Sequence, residues 1–390
     1  MHPHLKPRLG KIIVTKFGSE TVRAYVPQPL PPNPPLDLSK LLNKLTRADQ
    51  ALGRLDGIAK VLPSTDIFVF MYVKKEALLS SQIEGTQSSL SDLLLFENSE
   101  MPLARLNDVK EVSNYIIAME HGLKRLADGF PISLRLIREM HAALLSRGRG
   151  ENKQPGEFRT SQNWIGGSRP GNATFVPPPP NEVMNCLGDL EKFLHEESTY
   201  PVLIRAALAH LQFETIHPFL DGNGRLGRLL ITLLLCKEKV LNTPILYLSL
   251  YLKENRSRYY DLLQAVRVNG DWEAWIDFFL DGVAETSEQG ISTAQRLISL
   301  FESDSKKLSK LGRSASTTLR LHSEMKQTPM ISVGGAARKL NMSQPTIQKA
   351  LDNLVKLGIV KEVTGKRRNR MYLYHRYLHI LSEGTEPLPP

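Results

Sequence analysis

Cysteine is scarce. Cys186 and Cys236 are the only two in 390 residues, and neither stands in a CxxC pair, so neither a disulfide framework nor a zinc knuckle organises the chain. Both thiols are expected to be buried. Long hydrophobic runs are missing as well: Leu229 to Leu235 lies between Arg228 and, just past Cys236, Lys237, far too short a stretch to cross a bilayer. The start, MHPHLKPRLGKIIVTKFG, has neither the apolar core nor the small-residue cleavage site of a secretory signal. A cytoplasmic protein with no membrane partner is the expectation. GxxxxGK[ST] is absent, which excludes a P-loop.

What is present is ordinary in amount and uneven in placement. Apolar residues make up 41%, and the length calls for two or three cores. Of a formal net charge of +10, residues 305–376 hold 16 Lys or Arg against 3 acids, a net of +13 that leaves the rest at −3. A concentrated basic segment points to an acidic partner, with DNA the natural case, or to a solvated basic face.

PQPLPPNPPL, residues 27–36, is an extended proline-rich connector that no helix can include. After it, apolar residues recur at three- and four-residue spacing. Helices are predicted over about 38–62, 67–85, 107–127, 132–146, 181–196, 202–216, 225–240, 254–267 and 271–308. Strand signals are few, and SQNWIGGSRPGNATFVPPPP reads as one hairpin, Asn163–Ile165 against Thr174–Val176. Beyond Leu311 the pattern becomes three short helices, then two β-prone pieces around Gly365 and the basic turn KRRNR, the order of a winged helix-turn-helix. Ser343, Gln344, Thr346 and Lys349 stand near the start of its candidate recognition helix, and their side chains suit base edges and phosphates.

The chemistry concentrates in HPFLDGNGRLGR, His217 to Arg228. Gly222–Gly227 satisfies GxGxxG, but the residues before it are helical in period rather than a buried strand, so the dinucleotide fingerprint is rejected on context. A helix ends near His217, a glycine-bearing loop turns, and a new helix starts near Arg225. The backbone N–H groups of Gly222, Asn223 and Gly224 then face an anion at that helix's N-terminus, and Arg225 and Arg228, three apart, share a face and add charge. Asp221 at the edge of this cradle would repel phosphate unless magnesium bridged the two. His217 is the side chain able to take a proton near neutral pH. Together these groups describe phosphoryl or nucleotidyl transfer. His210, Glu214, His217 and Asp221 would form a metal stripe on an unbroken helix, but Pro218 breaks it and leaves His210 and Glu214 structural.

This stretch resembles the Fic family motif HxFx[DE]GNGRxxR at all eight fixed positions. The resemblance implies an all-α Fic-type helical bundle with a β-hairpin flap over residues 162–176, and AMPylation: transfer of AMP from ATP to a Ser, Thr or Tyr hydroxyl of a target protein. By the family's roles His217 is the catalytic base, Asp221 the magnesium ligand, and Gly222, Asn223, Gly224, Arg225, Leu226, Gly227 and Arg228 the nucleotide-binding segment. Upstream, SSQIEG resembles the family's inhibitory motif [ST]xxxE[GN]. Ser80 and Glu84 are four apart and share a helix face, Gly85 follows, and the resemblance implies that Glu84 pairs with Arg228 and holds the enzyme inhibited. LYLSLYLKENRSRYYDLLQAVR resembles the helix of the adenine pocket, with Tyr260 rather than Tyr259 as the base contact.

The domain expectation is an extended Pro-rich segment over 1–36, an N-terminal region with the inhibitory helix over 37–105, a Fic core over 106–310 and a winged helix over 311–390. The functional expectation is an autoinhibited adenylyltransferase using ATP and magnesium. The competing readings are a nucleotide-sensing DNA-binding regulator, and a de-AMPylase in which Glu84 orients a water. A homodimer through exposed apolar faces is a further possibility.

Overall fold

The structure, a computed structural model, describes residues 8–18, 20–61, 65–97, 106–366 and 369–388. The first seven residues of the predicted N-terminal segment, the 105/106 boundary on its 105 side, and Arg367 and Arg368 of the basic turn lie outside the described residues.

The body is helical. α1 (Leu42–Val61), α2 (Thr65–Ile83), α3 (Leu90–Glu97), α4 (Leu106–Ala127), α5 (Leu134–Leu144) and α6 (Pro180–His195) lead into α7 (Val202–Ile216) and α8 (Asn223–Lys237). α9 (Ser249–Glu254), α10 (Arg256–Asn269) and the 37-residue α11 (Trp272–Leu308) complete it. α7 is buried from Leu203 to Ile216, and α8 from Asn223 to Leu235 apart from Gly224. Helices buried on every side belong at the centre of a bundle, so α7 and α8 form its core pair. α11 runs along α1, tied by Lys44 to Asp277 at 2.7 Å and Asp281 at 2.6 Å, and reaches α7 through Trp275 Nε1, which donates to Ala207 O at 2.9 Å. Among the described residues no helix is long and apolar enough to cross a membrane.

The expected helices form, and three differences have physical reasons. Residues 11–26 are not an extended lead-in but a hairpin, β1 (Lys11–Phe17) against β2 (Glu20–Val26), in register from Lys11↔Val26 to Phe17↔Glu20. KIIVTKF and ETVRAYV have the β-branched content of strands, and Gly18 turns between them at φ +60. The hairpin predicted at 162–176 shrinks to one bridge, Ile165↔Phe175, because Pro170–Asn172 winds into a 3₁₀ turn and Asn172 Oδ1 accepts from the N–H groups of Ser168 and Arg169 at 3.0 Å. α3 and α9, at eight and six residues, are too short to show a helical period.

Downstream stand α12 (Ala315–Gln327), β3 (Met330–Ser332), α13 (Val333–Leu340), α14 (Gln344–Lys356), β4 (Lys361–Glu362), β5 (Met371–Leu373) and α15 (His375–Ser382). The sheet order is β3-β5-β4, antiparallel throughout. This module sits on the C-terminal half of α11: Tyr374 donates to the buried Asp304 at 2.8 Å, and Phe301 packs edge-on against Tyr377.

Candidate active site

His217 ends α7 in the left-handed region, φ 49 and ψ 59, and Gly222 opens α8 at φ 77. Between them the loop is pinned from within. Asn223 Oδ1 accepts from Phe219 N and its Nδ2 donates to Phe219 O, both at 2.9 Å, with the Phe219 ring fully buried. This asparagine therefore shapes the loop with its side chain, leaving its backbone at the first turn of α8, where unsatisfied N–H groups and the helix dipole favour an anion.

The loop is also held from outside by residues that motif reading did not single out. Arg159, 2% exposed, donates to His217 O at 2.8 Å, Ile216 O at 3.3 Å, Pro178 O at 2.6 Å and Ser161 O at 3.1 Å, while its N–H meets Pro218 O at 2.9 Å. Carbonyl dipoles satisfy this buried cation without a carboxylate. His141 on α5 stacks on Phe219 with centroids 3.7 Å apart. Its Nδ1 accepts from Gly156 N at 2.8 Å, so the proton resides on Nε2, which donates to Asp221 O at 3.0 Å. A lone arginine in a loop and a histidine within an amphipathic helix carry no periodic or spacing signal that would have marked them.

His217 is partly exposed as a residue, while its Nδ1 is buried. Burial first, then the charges of Arg159 and Arg267, push it down to about 3, against the opposing pull of the Glu84 carboxylate. It is a neutral base across the physiological range. His210 and Glu214 are buried two turns and one turn earlier, respectively: His210 Nε2 pairs with the Tyr259 hydroxyl at 2.9 Å, and burial pushes Glu214 up to about 7. They belong to the core. Among the described residues no cluster of three or more His, Cys, Asp or Glu side chains could hold a metal by itself.

The two arginines of α8 diverge. Arg228, 2% exposed, turns to α2: Nε donates to Ser80 Oγ at 2.8 Å, and Nη2 donates to Ser80 O at 2.9 Å and Glu84 Oε1 at 2.7 Å. Burial alone would raise the Glu84 carboxyl, but Arg228 outweighs it and holds the group below the usual carboxylate range. Gly85 turns the chain out of α2 at φ +98, with open space where a side chain would be, so the conformation and not crowding calls for glycine. The Glu84 carboxylate rests on the backbone of Gly224, where a Cβ would run into Oε1. The Ser80–Gly85 segment and the glycine loop that opens α8 are thus in contact.

Arg225, 1% exposed, turns to α4, where Nη1 donates to Glu111 Oε2 at 3.4 Å and Nη2 lies 3.6 Å from Asp221 Oδ1. Its Nε and Nη2 have no hydrogen-bond partner among the described residues, an arrangement that suits a ligand with acceptor oxygens. Glu111 also accepts from Thr86 at 3.2 Å, joining Arg225 to the turn that follows Glu84. Asp221 uses Oδ1 to accept from Gly222 N at 2.6 Å, with Oδ2 beside Gly150. One partly exposed carboxylate next to an anion cradle fits magnesium, which takes one or two carboxylates and completes its shell with water and phosphate oxygens. Leu226 and Gly227 face inward: a Cβ on Gly227 would stand 2.6 Å from Glu214 Oε1, so Gly227 serves helix packing. Tyr260 is 39% exposed while Tyr259 is buried, leaving Tyr260 the accessible ring of the pair, with the Arg256 guanidinium 5.3 Å from its centroid.

The flap borders this site through Phe175, over whose ring the Arg267 guanidinium lies at 3.9 Å. Arg267 also donates to Glu214 O at 3.1 Å, near the end of α7. From the other side the N-terminal hairpin supports it. Tyr25 N donates to Val176 O at 2.9 Å, Val22, Ala24 and Val176 form a small apolar cluster with Trp164 and Ala173, and Glu20 pairs with Arg169.

Residues 42–124 match the Fic/DOC family N-terminal region, and residues 131–235 match the Fic/DOC family. The chain contains a Fic domain. It is 30% identical over 222 residues to the protein adenylyltransferase Fic of Drosophila melanogaster, covering 55% of this chain and 42% of that protein, and 31% identical over 223 residues to that of Drosophila virilis, with the same coverage. The chain thus spans less than half the length of these curated relatives. A Fic family protein from Desulfovibrio desulfuricans shares its fold over 89% of this chain and 98% of that one, with a TM-score of 0.59 at 19% identity. Fic-1 from C. elegans aligns over 65% of this chain and 73% of that one, with a TM-score of 0.51 at 25% identity. The Fic domain places His217, Asp221, the glycine loop and both arginines within one α7–α8 unit, and α2 brings Glu84 to it.

Proposed function

We propose that this chain is an autoinhibited protein adenylyltransferase, moving AMP from ATP to a Ser, Thr or Tyr hydroxyl of a target protein and of itself. The observation that carries the reading is the 2.7 Å Glu84–Arg228 pair seated against Gly224. A carboxylate stands where the family motif would place phosphate, and a polyanion cannot share that position. With Glu84 withdrawn, the α8 N-terminus and the free donors of Arg225 bind the phosphates, and Arg228 regains its fork. His217 takes the proton of the target hydroxyl as that oxygen bonds to the α-phosphorus. The bond from phosphorus to the pyrophosphate oxygen breaks, and pyrophosphate leaves with its electron pair. Asp221 would hold magnesium, which when bound neutralises phosphate charge. Tyr260 offers a stacking face for the base.

Labelled ATP and magnesium test this directly. Glu84→Gly should label itself or a lysate partner strongly where wild type labels weakly, and adding His217→Ala should remove the label. A Glu84→Gly protein that stays unlabelled, or a label indifferent to His217, refutes it.

The C-terminal module supports a second function. We read α12, α13 and α14 with the antiparallel β4–β5 pair as a winged helix, in which Arg338, Gln344, Gln348 and Arg370 line a polar groove of about 1000 Å³. Ser343 and Thr346 are engaged in the α14 N-cap, at 2.7 Å from each other, which leaves exposed Gln344 and Lys349 to reach a nucleic acid. A gel shift with genomic DNA fragments that weakens steeply as salt rises is the expected result.

A further inference from the structure

We propose that the segment Glu383–Leu388 is a latch on the inhibitory helix, so that Glu84 leaves the active site when this segment leaves α2. The inference rests on the adenylyltransferase reading of the site and adds its regulation. α2 is an unusual helix to bury. Lys74, Lys75, Glu76, Ser80, Ser81 and Gln82 all lie inside beside the apolar core residues of the same helix, so its seat depends on polar partners as well as on apolar contact, and removing such a partner leaves a buried group unsatisfied. Those partners come from different parts of the chain. Glu97 holds Lys74, Ser249 N holds Glu76 at 3.0 Å, and Arg228 holds Ser80.

Lys75 and Gln82 find carbonyl partners in the segment after α15. Lys75 Nζ donates to Glu383 O at 2.8 Å, and Gln82 Nε2 to Thr385 O at 2.8 Å, as well as to Ser88 O at 3.0 Å. Past the end of the helix Gln87 Nε2 reaches Leu388 O at 3.3 Å. From α9, Lys253 Nζ donates to Gly384 O at 3.1 Å and to Glu386 O. Gln82 is two residues before Glu84, so the segment closes on the last turn of the helix that carries the inhibitory carboxylate.

The segment is seated by shape and charge. Gly384 has φ +77, and a Cβ there would meet Leu250 Cδ1 at 2.7 Å. Arg296 on α11 grips Glu383 with two bonds of 2.6 Å. Because the latch continues directly from α15, which packs on α11 and α2, any event that shifts the C-terminal module on α11 draws the latch with it. The module and the active site are thereby coupled through the carbonyls of this segment.

The test uses the full chain with two kinds of change, each made in wild-type and Glu84→Gly backgrounds. Gly384→Val forces the segment off its seat, and Arg296→Glu weakens its anchor at the surface, where the fold tolerates substitution. Readouts are self-labelling by ATP and hydrogen exchange of amides 80–85. Gly384→Val should raise labelling several-fold and speed that exchange. Arg296→Glu should raise labelling up to about fivefold, and Arg296→Glu with Glu383→Arg should restore inhibition. In the Glu84→Gly background all should stay within about twofold of that background. Faster exchange without a rise in labelling overturns the latch, as does an equal rise in both backgrounds. If Glu84→Gly itself never labels, the adenylyltransferase reading fails, and the latch is then judged by exchange alone: unchanged protection of 80–85 in Gly384→Val refutes it.

Discussion

His217 combines a fixed backbone with a ring nitrogen buried among cations, and its depressed basicity has a kinetic consequence. A base works in its neutral form, and here the proton is lost far below the usual imidazole value of 6.5, down to about 3. In the Glu84→Gly enzyme, which lacks the one carboxylate opposing that shift, kcat/KM should stay level from pH 8 to pH 6. An acid limb centred near 6.5 would contradict the assigned environment. Asn223 makes a different prediction. Its two bonds to Phe219 are internal to the loop, so Asn223→Ala should cost about 1–3 kcal/mol of stability in urea unfolding and abolish nucleotide uptake in calorimetry, even with Glu84 removed. The motif made these residues legible because eight fixed positions encode one local structure. Arg159, Glu111 and His141 were not legible, since each acts by meeting backbone or charge from a distant part of the chain.

At the scale of elements, the flap is the piece that least resembles its sequence signal. Two short β-prone runs predict one hairpin on the helical body, yet a single bridge remains, and the β1–β2 hairpin packs behind it. The two are joined by a long-range pairing, Tyr25 N to Val176 O, which no local pattern announces. The strand signal of residues 11–26 was itself readable, but the prolines that follow suggested one extended segment. Val22 is 1% exposed in the small cluster joining hairpin to flap. Val22→Asp should therefore raise KM for a protein target at least severalfold while leaving nucleotide affinity unchanged, because the α7–α8 cradle does not depend on that cluster. Equal losses in both would show that the hairpin supports the whole site. The helices of the core, by contrast, were read nearly to their ends, as expected where apolar period and burial agree.

For the whole molecule, stability depends on buried groups kept uncharged. Burial pushes His141, His210 and His322 down to about 4, so between pH 6.5 and 4 the unfolded chain takes up protons that the folded one refuses, and stability falls as pH falls. Glu76 and Glu214 are pushed up to about 7 by burial and act oppositely above 4.5, where the folded state keeps protons the unfolded state has lost. With His217, pushed down to about 3, four imidazoles stand against two carboxyls, so the thermal midpoint should decline gently from pH 6.5 to 5. Below about 4.5 the imidazoles act unopposed and the midpoint should drop steeply; a steep fall already between 6.5 and 5.5 would mean the two carboxyls are ionised. The C-terminal module was legible as an element order, whereas its seat on α11 was not, because Asp304 and Tyr374 are 70 residues apart. Arg159 connects the largest pieces of the site: one guanidinium hangs the strand ahead of the flap, the lead into α6 and the carbonyl of His217 from the same five donors. A substrate tugging on the flap is thereby tugging on the general base, and a loosely gripped protein would leave the imidazole out of line.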